Sequence, residues 1–522
     1  MNTRHIFYAG ILLAAMSTEV LGQTYEDALR FNRNDLTGTA RSQAMAGAFG
    51  SVGADLTSMA INPAGMALYR ATELGLSLGV NVVKTESSTW ANKAEDDRVK
   101  VPFSQMGVAF SFGLQRENTK GLVGSNFFLG YNRVADFSNN KIFRDPYSLN
   151  SLLDYFCTDE QKQAAMTGDL AYNAYLTNDT TFANGDQLTY NVWEELVDGL
   201  LNPNFRIDED GSGLVNLERK VEEDGSKGDF AIGYAANISQ KFFIGGSLNV
   251  QSLRYEQTVT HSELFEGYTV NPNDPTSFVY RSYLKQSGAG LNFKLGFICR
   301  PVNALRVGVA ITSPTFFVID EKYHANITND AQRKNYRTDE FEYEYKYRTP
   351  SRLVASISGI LGSVGMISFD YELVNHKNSK FKEKDNDYDM NNWYDVYLSS
   401  LSSFDNLNDF MKHDALKASS TFRIGAELSV LKPFYLRGGY RMTTSPLKSD
   451  YYVKKPKDYA ISGGIGFRYS NFFVDLSFVE SVKKSDAWVL PDSAEGYIYE
   501  DNMPAYLTSH SHNGVVTIGF RF

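Results

Sequence analysis

The residues able to do chemistry are few and scattered along 522 residues. Arginines recur at the polar positions of alternating segments: Arg306, Arg352, Arg423, Arg437, Arg441 and Arg468. The carboxylates Asp370, Glu372, Glu427 and Asp475 occupy equivalent positions. A guanidinium is a planar fork that can hold a carboxylate with two hydrogen bonds. Two uses follow. Arg423, Arg437 or Arg468 could contact the head group of an acidic ligand, or the whole set could pair internally and stiffen the fold. The seven histidines stand at 5, 261, 324, 376, 413, 510 and 512. His510 and His512 share a strand face, but no carboxylate is fixed beside them, so no metal site is expected. Asp208 to Gly213 supplies oxygens at positions 1, 3 and 5 of a calcium loop and Gly at position 6. Arg219 stands where the bidentate glutamate belongs, so the run reads as a solvated acidic turn. There is no His-Glu-x-x-His, Gly-x-Ser-x-Gly, phosphate-binding Gly-Lys loop or Rossmann glycine run. Neither an enzyme nor a cofactor is expected.

Composition narrows the elements that must carry these side chains. The chain has 51 Lys+Arg against 61 Asp+Glu, a net charge of −10, which argues against a nucleic-acid binder. Two cysteines, Cys157 and Cys299, make no disulfide scaffold, and their spacing leaves pairing open. A mean hydropathy of −0.32 is too polar for a bundle of membrane helices. Yet there are 35 Phe, 32 Tyr and 41 Gly. Residues 1–22 read as a signal peptide: a polar start, an apolar run from Ile6 to Met16, and small residues before Gln23.

From about residue 72 the hydrophobic period is two. Leu74, Leu76, Leu78, Val80 and Val82 fall on one face, with Glu73, Gly75, Ser77, Gly79 and Asn81 on the other. The same pattern fills Gln105–Leu114, Asp229–Ile238 and Tyr459–Tyr469. Fourteen such strands are expected, near 72–83, 105–114, 122–133, 228–238, 241–258, 280–300, 304–319, 340–360, 365–376, 418–430, 433–444, 458–469, 472–479 and 512–522. The intervening connections alternate long and short. A transmembrane barrel sorts its loops this way, with short turns on the periplasmic side and long loops outside. The last strand alternates and stops on an aromatic residue, with Phe520 and Phe522 on one face. The predicted fold class is therefore all-β: a fourteen-stranded antiparallel transmembrane β-barrel over 72–522, with a long extracellular insertion at about 134–227. Within that insertion, Ser148–Tyr155 and Trp193–Leu201 read as helical pieces. The Phe341–Tyr347 run places Phe and Tyr on one face and reads as an interfacial aromatic girdle.

Residues 23–71 do not alternate. They are rich in Gly, Ala and Ser from Gly38 to Gly50 and continue to Asn62-Pro63-Ala64-Gly65. Such a segment is a poor linker and a good compact plug. Here the chain resembles the outer-membrane transporters of long-chain fatty acids and other hydrophobic compounds, the FadL/TodX type. The resemblance rests on Gly47-Ala48-Phe49, Ala54-Asp55 and the Asn62-Pro63-Ala64-Gly65 hatch motif just before the first strand. It implies an N-terminal hatch (plug) segment inside the lumen of a bacterial outer-membrane barrel. It also implies passive transport of hydrophobic small molecules, most of all long-chain fatty acids, from the outer loops and laterally out through the wall. The implied partners are a hydrophobic small molecule or fatty acid, outer-membrane lipid and the barrel assembly machinery that reads the C-terminal Phe520 and Phe522 signal. Nucleic acid is not a partner, and a monomer is favoured. The long 134–227 and 377–417 loops depart from the family pattern. The rival readings are a surface-interaction or adhesion barrel displaying those loops, and a general diffusion porin.

Overall fold

The computed structural model describes residues 23–89, 92–113, 120–157, 168–181, 187–193, 196–197, 200–201, 214–267, 273–384, 404–449, 454–488 and 504–522. The signal-peptide stretch 1–22 and the Asp208–Gly213 turn lie outside these residues.

The chain closes into a barrel of fourteen antiparallel strands. They are β1 (Glu73–Ser88), β2 (Lys93–Lys100 and Phe103–Gly113), β3 (Leu122–Asp136 and Asn139–Ser148), β4 (Val215–Ile238), β5 (Phe242–Phe265) and β6 (Ser277–Val302). There follow β7 (Leu305–Thr312 and Phe316–Asn329), β8 (Phe341–Arg348 and Arg352–Ile360), β9 (Gly365–Asn375 and Lys380–Glu383) and β10 (Ala418–Leu431). The last four are β11 (Phe434–Thr443), β12 (Lys457–Tyr469), β13 (Phe472–Trp488) and β14 (Pro504–Arg521). β14 returns to β1 in unbroken register, from Glu73↔Arg521 to Ser88↔Tyr506. Closure leaves no edge at this join, which is what lipid demands of a spanning sheet.

The alternation decides the two faces. Leu74, Leu76, Leu78 and Val80 of β1, Phe230, Ile232 and Tyr234 of β4, and Leu291, Phe293 and Leu295 of β6 are all exposed, forming an outward apolar belt. Phe520 belongs to the same belt and Phe522 follows it, its N–H donating to the Thr72 carbonyl at 2.9 Å. The strands run well past the 9–11 residues needed to cross. β4, β5 and β6 have 24, 24 and 26 residues and project beyond the belt at the long-loop end.

That projection corrects two expectations. Phe341–Tyr347 is no girdle. Tyr345 and Tyr347 point inward and are fully buried against Phe31 and Phe381, while Glu342 and Glu344 face out and pair with Lys322 and Lys384. The period is the one expected, but this stretch lies above the belt, where the polar face meets solvent and the aromatic face meets protein. Nor are the described residues of Trp193–Leu201 helical: Leu196↔Leu201 and Val197↔Leu200 pair as two short antiparallel strands. Of the helical pieces, Leu152–Phe156 forms. With Trp193 it packs on Phe265 and Phe278 of β5 and β6 in an outer hydrophobic cluster. Glu263 pins that cap: Ser151 Oγ donates at 2.5 Å and the Leu152 N–H at 2.7 Å, with His261 Nε2 2.5 Å away.

Residues 23–72 sit inside the barrel. They form α1 (Tyr25–Asn32), α2 (Ala40–Ala44), α3 (Ser58–Ile61) and a 3₁₀ turn (Pro63–Leu68). α1 starts on a reciprocal capping box between Thr24 and Asp27. Every residue from Gly38 to Gly53 is buried.

Candidate functional site

The Asn62-Pro63-Ala64-Gly65 motif is a small machine of hydrogen bonds. Pro63 opens the 3₁₀ turn, where its missing N–H costs nothing. The Asn62 side chain caps that turn by accepting from the Ala64 N–H at 3.1 Å, and its Nδ2 donates to the Gly50 carbonyl at 2.6 Å. It thereby ties together two loops of the internal segment. The wall makes room for it. A Cβ at Gly296 of β6 would lie 1.9 Å from Asn62 Oδ1, and one at Gly245 of β5 would lie 2.4 Å from the Pro63 carbonyl carbon. Glycine at these inward positions lets the motif's backbone approach the sheet, which no other residue allows.

Charged groups hold the same segment at two levels. Toward the short-turn end, Arg41 of α2 grips Glu427 of β10 with two bonds, Nε–Oε2 2.7 Å and Nη2–Oε1 3.0 Å. Arg437 of β11 donates to Glu427 at 2.7 Å and to Asp475 at 2.6 Å. The Gly50 N–H donates to Asp370 at 2.7 Å, and Arg306 donates to the Val52 carbonyl at 2.5 Å. Toward the long-loop end, Glu372 of β9 accepts from Arg352 at 3.0 Å and from Arg423 at 2.7 Å, and Arg352 also reaches the Asn32 carbonyl. Between α1 and α2, Asp35 binds Arg33 at 2.8 Å and Lys483 of β13 at 3.1 Å, and accepts from the Asp136 N–H at 3.0 Å. Burial alone would raise the Asp35 carboxyl, but Arg33 and Lys483 hold it well below the usual carboxylate range.

The ten inward charges predicted from the sequence thus do face the lumen, mostly in pairs. Arg423 lines a cavity while bound to Glu372; Arg437 is bound to Glu427 through Nε and to Asp475 through Nη1; Arg468 lies over the Tyr435 ring, 4.9 Å from its centroid. His510 and His512 face outward with ring centroids 6.5 Å apart, and among the described residues no group of three metal-binding side chains forms. No disulfide joins Cys157 and Cys299.

Sequence reasoning missed a seam in the wall. The β2–β3 ladder runs from Gly113↔Gly124 to Gln105↔Asn132 and stops. Beyond it, Lys93–Lys100 pairs with β1, and Asn139–Ser148 pairs with β4. β2 is interrupted at Pro102, which has no N–H for a ladder. Side chains span the join: Lys100 donates to Ser138 at 2.8 Å and to Asp224 at 2.5 Å, and Arg98 donates to Asn140 at 3.1 Å. Val99 and Val101 are 61% and 73% exposed beside it, so the seam is greasy outside. Behind it lies a cavity of about 130 Å³ lined by Pro102, Ser104, Arg133, Asp35, Arg441 and Lys483. A second cavity of about 100 Å³ lies across residues 35–37, reaching Arg423, Arg441, Thr315 and Pro350. Both are well below the ~300–1,000 Å³ of small-molecule sites. Pro102 in an alternating run was the available signal; the unpaired ladder was not visible.

No protein-family model matches the chain, and no curated protein matches it by sequence. Its structure is similar to that of a Pseudomonas aeruginosa FadL homologue, at 11% identity, covering 94% of this chain and 100% of that one, with a TM-score of 0.52. It is also similar to the P. putida toluene transporter TodX, at 10% identity over 94% and 99%, with a TM-score of 0.50. The fold is thus a closed, internally filled fourteen-stranded barrel. In particular it is the fold of the FadL and TodX barrels.

Proposed function

We propose that the protein is a passive outer-membrane channel for small hydrophobic molecules, with long-chain fatty acids as its most fitting cargo. The observation that carries this reading is the β2–β3 seam, with a lumen cavity on one side and an apolar belt on the other. A fatty chain crossing an aqueous pore would forfeit about 0.8 kcal/mol per methylene. A side exit into the bilayer avoids that loss. In this reading residues 1–22 are a signal peptide, residues 23–71 are a hatch, and the short turns face the periplasm. Ligand enters from the long-loop end, shifts residues 33–37 and leaves through the seam. Of Arg423, Arg437 and Arg468, Arg423 is the best placed for a carboxylate head group, because it already lines a cavity. The Phe520 and Phe522 terminus serves recognition by the assembly machinery, and the barrel works as a monomer in outer-membrane lipid. The polar lining of both small cavities favours an amphiphile over a bare hydrocarbon. The test is mass spectrometry of hydrophobes that co-purify with the barrel, together with binding of labelled oleate. Retained single-chain lipids and saturable oleate binding are expected. An empty barrel with only non-saturable oleate uptake would overturn the proposal.

A further inference from the structure

A larger cavity lies elsewhere, at the short-turn end beneath the internal segment. It measures about 1110 Å³, slightly above the ~300–1,000 Å³ typical of small-molecule sites. Its charges are one-sided. Arg41, Arg70, Arg300, Arg306 and Lys432 line it, against one carboxylate, Glu427. Glu427 is already consumed by Arg41 and Arg437. Arg70, Arg300, Arg306 and Lys432 make no ion pair among the described residues. The other three guanidiniums lie close enough to Arg306 to act on it electrostatically. Arg306 Nε is buried with no hydrogen-bond partner. This concentration of uncompensated positive charge stands in a chain of net charge −10, so it does not reflect bulk composition. The rest of the wall combines apolar side chains, among them Phe243, Ile360, Met366 and Tyr435, with Ser111, Asn237, Gln240, Ser363 and Ser429.

An unpaired cationic cluster beside apolar side chains matches one ligand chemistry: an anionic head on a single apolar chain. A buried guanidinium N–H left without an acceptor, as at Arg306 Nε, bears a desolvation penalty that such a head would relieve. A neutral hydrocarbon would leave that penalty in place. A free inorganic anion would leave the apolar side chains wet.

We propose that this vestibule is a second ligand site, which binds a single-chain carboxylate amphiphile with its head at Arg300 and Arg306 and its tail along Phe243, Ile360 and Met366. The site deepens the transport reading, since its orientation toward the periplasm rests on that reading. It is separate from the cavities by the seam, with which it shares no lining residue. It gives the hatch a ligand-binding face on each side.

The test uses the full-length barrel in non-ionic detergent and equilibrium dialysis with labelled laurate, dodecanol and inorganic phosphate. Two double variants are compared: Arg300→Gln/Arg306→Gln, and Arg70→Gln/Lys432→Gln. Arg70 and Lys432 make no ion pair or side-chain hydrogen bond among the described residues, so the second pair remains informative if the first disturbs folding. In each pair laurate binding to one site should weaken at least about tenfold. Dodecanol binding should change less than about twofold, and phosphate should bind far more weakly than laurate. Unchanged laurate affinity and site number in both variants would overturn the proposal. So would parallel losses of laurate and dodecanol, or phosphate binding as tight as laurate. Dodecanol uptake by proteoliposomes, which needs no anionic head, tests the transport reading alone; its failure would sink that reading whatever laurate does.

Discussion

Glu427→Gln is the most telling single change to the internal segment. Glu427 is 6% exposed and lies between two guanidiniums. The substitution removes one charge and nothing of the side chain's shape. Arg437 keeps Asp475 at 2.6 Å, whereas Arg41 loses its only carboxylate among the described residues. Breaking a buried pair typically costs about 3–5 kcal/mol. The amide oxygen still accepts one bond from Arg41, which trims the loss to about 3 kcal/mol. At 1.4 kcal/mol per tenfold, states with the segment unseated should become roughly a hundred times more frequent. The barrel ladder is untouched, so its thermal unfolding should move little. Single-channel recording in planar bilayers reads the difference directly. Wild type should open rarely and the variant about a hundred times more often. Arg41→Gln should do the same, and the double variant should add little, because both changes break one interaction. Openings at the wild-type frequency, or fully additive effects, would refute the idea that this cluster latches the segment.

Gly296→Val places side-chain atoms where Asn62 now lies. It should cost at least about 1–3 kcal/mol of seating energy and make Arg33 and Arg41 accessible to trypsin in an otherwise folded barrel. Asp35 predicts a pH response with a definite sign. Its folded carboxyl is held low by Arg33 and Lys483, so its contribution is complete above the ~3.9 of an unfolded aspartate and fades below it. Opening frequency should stay flat from pH 7 to pH 5 and rise below about pH 4, whereas Asp35→Asn should raise it already at pH 7. Glu263→Ala removes the acceptor shared by Ser151, the Leu152 N–H and His261. Leaving those buried groups unpaired should cost about 1–3 kcal/mol. Hydrogen exchange should then rise across residues 150–157 and leave β10 to β14 unchanged.

How far the sequence disclosed this arrangement depended on where each residue sits relative to the lipid belt. Inside the belt, alternation had one meaning, and runs such as Leu74–Val82 and Val516–Phe520 read directly as wall. Above it the same period served other ends. Tyr345 and Tyr347 turned inward against α1, and Val215–Lys227 read as a charged loop because it is a strand standing in water. Inward arginines were recognisable by type, but their partners were not. Arg41 and Glu427 lie 386 residues apart, and barrel closure brings them together. Gly245 and Gly296 read as ordinary small-face residues until the Asn62 motif was placed against them. The seam was hidden for the same reason: a missing ladder is a property of two strands, and Pro102 marks only one.

The central claim is that cargo leaves sideways between β2 and β3. Its most direct test is uptake of labelled oleate by cells carrying the Lys100→Cys/Ser138→Cys variant, before and after bridging the two thiols with a reducible bis-thiosulfonate reagent. Bridging should abolish uptake, and reductant should restore it. Uptake that continues at full rate with the seam bridged would contradict the account.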